Sequence, residues 1–152
     1  MDSIEMLSPA DSARLAADLT RLASALDSHK SSRFSGLPFA VLGARRFETD
    51  GRQYVVAHLA RRLPQEAAPL EERTLLIAER SSTAASYVVT FSRRSEGSED
   101  TAEHFEPLAA ARGRQSVLLL LARDQLAETT YEVLERSPEG KWRSRWSRRL
   151  VC

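Results

Sequence analysis

Cysteine is nearly absent: the single one, Cys152, is the last residue. The chain therefore cannot form an intrachain disulfide, a CxxC redox motif or a multi-cysteine metal site. A thiol at a chain end also lacks the rigid frame that lowers the pKa of a catalytic cysteine. Lysine is almost as scarce, since of 22 basic residues only Lys30 and Lys141 are lysine. The excess of arginine and alanine is what a GC-rich coding sequence produces, so arginine count alone argues for nothing.

Six glycines are spread too thinly to form GxGxxG or GxxxxGK[ST], which removes the usual backbone cradles for phosphate. GxSxG and HExxH are missing as well, so the common hydrolase classes have no motif here. The longest uninterrupted apolar run, Val117 to Ala122, is far short of the ~20 residues that a membrane helix needs. The opening residues MDSIEM carry acids, no basic segment and no following apolar core, unlike a secretory signal. The expectation is a soluble, cytoplasmic protein as the sequence stands, or an exported one if a leader preceded residue 1. A net charge of +1 gives no overall attraction to nucleic acid or acidic membranes.

What is present reads as one α+β domain over residues 1–152, large enough to bury a core without staples. Ser8-Pro9-Ala10-Asp11 sets a capping serine before a proline at the first helical position, with an acid in the positive first turn. Leu15, Leu19, Leu22 and Leu26 follow at helical spacing, which predicts an amphipathic helix over 8–28. Its simplest use is to lie across a sheet; a helix-helix seam with a partner chain is the alternative. The serine-rich stretch from Asp27 to Gly36 reads as a loop.

From residue 37 to 152 the pattern is that of an antiparallel meander. Phe39, Val41, Gly43 and Phe47 share a parity, and Asp50-Gly51 favours a tight hairpin turn into a return strand from Tyr54 to Leu63. A second pair, Thr74 to Glu79 and Tyr87 to Ser92, follows the break PQEAAP at Pro64 to Pro69. A third group comprises Val117 to Ala122, Thr130 to Glu135 and Trp142 to Val151. These three hairpin-like groups predict a single curved sheet of about six to seven strands. Residues 100–112 read as a loop running into a short helix that Pro107 interrupts.

Six apolar runs end in arginine, such as VVAHLARR at 55–62 and YVVTFSRR at 87–94. In a meander these ends alternate between the two ends of the sheet, with Arg45, Arg46, Arg80 and Arg123 at one and Arg61, Arg62, Arg93, Arg94 and Arg136 at the other. The expectation is solvated heads that punctuate strands and discourage aggregation.

Three segments bear on function. In the acidic stretch around Glu99 to Glu106, a helix would place Asp100 and His104 on one face beside Glu103, a weak candidate site for a divalent ion. A solvated acidic loop is the plainer reading, because the alternating oxygen ligands of a calcium loop are missing. His29 reads as a solvated residue after the helix, and His58 as a packed or face-lining histidine. In the closing strand, strict alternation puts Trp142, Ser144 and Trp146 on one face and Arg143, Arg145 and Ser147 on the other. That separation argues against a single-stranded nucleic-acid surface, which needs aromatics and cations together.

The ending YEVLERSPEGKWRSRW resembles the last hairpin of cystatin-like and NTF2-like folds. The likeness covers two strands, includes no functional motif, and would normally come with more helix before the sheet. It implies a cup-like or barrel-like small-ligand binder, or an enzyme using such a pocket, lined by residues such as Tyr54, Val56, His58, Tyr87, Val89, Trp142 and Trp146.

No acid, base and nucleophile converge, so no catalytic residue and no cofactor is assigned. The leading expectation is a non-catalytic binding or interaction module, such as an accessory subunit, with a protein partner or a second copy of itself. Its candidate contact residues are Trp142, Arg143, Arg145 and Trp146 of the closing strand and Leu15, Leu19, Leu22 and Leu26 of the helix.

Overall fold

Asp50 and Gly51 both adopt positive φ, 54° and 69°, which is the backbone of a two-residue turn whose twist matches that of the flanking strands. It joins β2 (Ala40–Thr49) to β3 (Arg52–Leu63) in the hairpin that the sequence predicts. The computed structural model describes residues 1–26, 32–64 and 69–151. Cys152, His29 and much of the PQEAAP break lie outside them.

The chain is mostly antiparallel sheet with one N-terminal helix. After a short β1 (Asp2–Ser3) and a 3-10 turn, α1 runs Pro9–Ala25. Ser8 caps it, its side chain accepting from the Asp11 amide at 3.2 Å. Sheet A has the order β1-β2-β3-β4-β5, with β4 at Leu70–Arg80 and β5 at Val88–Ser98. Sheet B has the order β6-β7-β8-β9, formed by His104–Arg112, Val117–Gln125, Glu128–Arg136 and Trp142–Val151. The prediction of one sheet with six to seven strands is thus corrected, among the described residues, to two open sheets with nine.

The predicted helix near 100–112 is corrected too. Residues 104–112 form β6, at the edge of sheet B, where a proline such as Pro107 removes no ladder hydrogen bond that the sheet requires.

Sheet A is buried on both faces. On one, Leu15, Leu19 and Leu22 of α1 pack with Val55, Ala57, Leu59, Leu76 and Tyr87. On the other, Tyr54, Val56, Leu75 and Ile77 pack with Phe105, Leu119, Leu121, Leu134 and Trp142 of sheet B. The layers are therefore helix, sheet A and sheet B. This explains the long apolar run in β3, which is buried from Tyr54 to Arg61 and has no solvent face to alternate toward.

Bulges reset the alternation of side chains. The register of β2 against β3 shifts between Val41 and Gly43, leaving Leu42 as the extra residue. Val41 accordingly faces the helix and Phe47 faces sheet B, although the sequence gives them one parity. The same device operates in β6 at Leu108 and in β9 at Arg145.

The arginines that end the apolar runs are not simply solvated. Arg136 of β8 binds Glu79 of β4 through Nε and Nη2 at 2.7 and 2.6 Å, and Arg93 of β5 binds Glu132 of β8 at 2.6 and 3.0 Å. Both pairs are bidentate and clamp sheet A to sheet B. Arg61 is 2% exposed, binds Glu72 at 3.0 Å and lies 4.5 Å from the Phe39 ring centroid. Phe34, in the stretch read as a loop, is fully buried and also lies under Arg61, 6.0 Å from centroid to guanidinium.

Candidate interaction surface

β9 is the open edge of sheet B, and every residue in it after Trp142 is exposed. It pairs with β8 from Arg136↔Trp142 to Glu128↔Val151, but its register shifts so that Leu134 opposes Ser144 while Val133 opposes Trp146. Arg145 is the additional residue. The consequence is that the two tryptophans point to opposite faces of the sheet, which corrects the prediction that they share one.

Trp142, 7% exposed, enters the core between the sheets, packs edge-on to Tyr54 and donates from Nε1 to Thr90 Oγ1 at 3.2 Å. Trp146, 48% exposed, lies on the outer face with Arg143 and Arg148, whose cross-strand partners Glu135 and Tyr131 share that face with Val133. An aromatic ring and guanidinium groups therefore do occupy one surface. Arg145 lies 3.6 Å from Glu135 and Arg149 3.4 Å from Glu128, both exposed pairs of little energetic weight.

Behind this strand the outer face continues apolar. β7 alternates buried Val117, Leu119 and Leu121 with half-buried Leu118 and Leu120, whose side chains face away from sheet A. In β6 the outward positions are Ala109 and Ala111, flanked by Glu106. No described element covers this face.

The other predicted contact residues are used internally. Leu15, Leu19 and Leu22 are buried on sheet A, and Leu26 packs against the same cluster, so the leucine stripe is not available to a partner. The acidic segment does not assemble as predicted either. Asp100 lies exposed in the turn before β6, Glu103 pairs with Arg123 at 3.4 Å, and His104 begins the strand. Without the helix, nothing brings Asp100 and His104 to one face. Among the described residues, no group of three or more His, Cys, Asp or Glu is placed to hold a metal ion.

His104 instead meets His58. Their rings pack edge-to-face with centroids 4.8 Å apart beside a small cleft of about 260 Å³ that opens past Gly43 and Arg45. His58 is 2% exposed, and its Nδ1 accepts from the Phe105 amide at 3.5 Å. Burial, then His104 and Arg73, push its pKa down to about 3. The ring is therefore neutral at physiological pH, with the proton on Nε2, which meets no hydrogen-bond partner among the described residues.

The strand carboxylates show the opposite balance. Burial pushes the Glu132 carboxyl up, but hydrogen bonds from Arg93 and Ser144 outweigh it and hold the group below the usual range. Glu71 is held down in the same way by Arg62 and Arg73. These carboxylates are each held by arginine, Glu132 by Arg93 with the Ser144 hydroxyl beside it and Glu71 by Arg62 and Arg73. Sequence reasoning misses them, although acids at core parity inside apolar strands, such as Glu132 in YEVLER, are a signal for buried partners.

Scans of protein-family models, of the curated proteins and of the solved structures find no match to this chain. No described helix is long and apolar enough to cross a membrane.

Proposed function

We propose that this chain is a non-catalytic protein-interaction module, of the kind that serves as an accessory subunit, and that the outer face of sheet B is its contact surface. One observation carries the reading: the space between the sheets is filled by Tyr54, Leu121, Leu134, Trp142 and their neighbours, while Trp146 and the apolar side chains behind it are left facing outward. A cup would need the reverse, an open apolar cavity at Tyr54 and Trp142. An apolar face rimmed by charge is the signature of a surface that is covered in an assembly.

The edge of β9 contributes less than its face. A bulge and four arginines on one edge strand are devices that oppose the addition of another strand. The partner therefore lies across the face.

The test is a photo-reactive amino acid placed at Trp146 and, as a control, at exposed Arg14 on the helix. The expected result is a protein adduct from position 146 and none from position 14. Adducts only from position 14, or from neither, would remove the reading.

A further inference from the structure

We infer that the outer face of sheet B pairs with the same face of a second copy of this chain, about a two-fold axis that runs parallel to the strands between β7 and β8. The inference rests on the reading of that face as a contact surface and names its partner. It follows from the cross-strand rows that the register defines.

Two rows occupy the middle of the face. One is Glu106–Ala122–Tyr131–Arg148 and the other is Ala109–Leu120–Val133–Trp146, each read from β6 to β9. An axis parallel to the strands lays each row on its own reverse. Trp146 of one copy then falls over Ala109 of the other, Tyr131 over Ala122, and Leu120 over Val133. Large side chains meet small ones, and apolar meets apolar.

The charges agree with the same axis. Arg148 of one copy falls over Glu106 of the other, and the pair occurs twice by symmetry. Neither is strongly engaged at home: no ion pair joins Arg148 to a carboxylate among the described residues, and Glu106 only approaches Arg45 at 3.7 Å with both exposed. An in-plane axis perpendicular to the strands would instead stack β9 on β9 and β6 on β6, which leaves Arg148 and Glu106 at opposite edges of the interface. That arrangement forgoes the reciprocal charge pair, so charge complementarity favours the strand-parallel axis.

The area is adequate. The four strands, about 4.8 Å apart and about 30 Å long, present roughly 600 Å² per copy. Two copies would hide on the order of 1,200 Å², the lower bound of stable interfaces. Aligned packing of two twisted sheets face to face is a geometry that sheets commonly adopt.

Sedimentation over a concentration series tests this, with circular dichroism to confirm that each variant folds. The wild type is expected to dimerise, Arg148→Glu and Glu106→Arg are each expected to weaken the dimer about tenfold or more, and the double reversal is expected to restore most of the loss. A wild type that stays monomeric at every accessible concentration overturns the inference. So does a double reversal no better than the single changes. If the protein is monomeric but position 146 still forms an adduct with a different protein, the interaction reading stands and the second copy falls. If it is monomeric and binds a single-stranded oligonucleotide through Trp146 and Arg148, both give way to a nucleic-acid surface.

Discussion

Trp142 and Trp146 stand four positions apart on one strand and yet face opposite sides of the sheet, because Arg145 is inserted between them as a bulge. The first closes the core and the second is 48% exposed. Their replacement should separate accordingly. Trp142→Ala is expected to cost about 3–5 kcal/mol by leaving a cavity beside Tyr54, whereas Trp146→Ala should change the stability of dilute protein by no more than about 0.5 kcal/mol. Urea denaturation at low protein concentration reads both. Equal losses would mean that the tryptophans share one environment.

Arg136 and Glu79 join β8 to β4 through two hydrogen bonds of 2.7 and 2.6 Å. Glu79 is 7% exposed, so removing Arg136 leaves a buried charge with only the longer 3.6 Å approach of Arg52. Arg136→Ala is expected to destabilise by about 3–5 kcal/mol, and Arg136→Met with Glu79→Leu by much less. Chemical denaturation of the three proteins tests this. A double variant as unstable as Arg136→Ala would show that the ion pair itself, rather than its desolvation, sets the stability.

Acid should weaken the fold earlier than carboxylate protonation accounts for. His58 has a folded pKa of about 3 against 6.5 for the free side chain. Below pH 6.5 the unfolded chain takes up a proton that the folded chain refuses, so the stability conferred is fully present above 6.5 and falls as pH drops toward 3. His104 and Arg73 face the ring and reinforce the refusal, while Glu71 opposes it. His58→Phe is expected to flatten the stability profile between about pH 6.5 and about pH 5, above the range where Glu71 and Glu132 contribute. Denaturation midpoints across that interval measure it, and an unchanged slope in the variant would contradict the assignment.

The turn between β7 and β8 carries Leu126 at a φ of 53°, a left-handed conformation in which a bulky side chain is strained, and the side chain is 75% exposed. Leu126→Gly should relieve that strain and raise stability by about 1 kcal/mol. A thermal or chemical melt that shows a loss instead would mean that the leucine makes a contact worth more than its strain.

Much of the fold is legible in the amino-acid sequence. Ser8-Pro9 and the leucine spacing mark α1, and Asp50-Gly51 marks the first hairpin, because caps and turns act through local geometry. The split into two sheets is not legible in the same way. β3 and β4 are buried on both faces, so their sequences lose the alternation that would show which side is which. Bulges at Leu42, Leu108 and Arg145 reverse side-chain parity without any compositional mark.

That loss of parity matters most at the candidate surface. Strict alternation separates Trp146 from Arg143, and the bulge at Arg145 brings them to one face. In the same way His104–Arg112 has the alanine content of a helix, yet its placement beside β7 makes it a strand. The arginines that end the apolar runs can be located from sequence, but their carboxylate partners come from other strands, such as Glu79 and Glu132. Only the packing of one sheet on the other shows that they clamp the core.

Position-specific cross-linking tests the paired outer face most directly. In a Cys152→Ser background, Leu120→Cys and Val133→Cys proteins are mixed and oxidised, with a cysteine at exposed Arg14 as the control. Pairing about the strand-parallel axis predicts disulfide-linked dimers that join position 120 of one chain to position 133 of the other, and none involving position 14. Cross-linking at position 14 as efficient as at 120 and 133, or none at all, would contradict it.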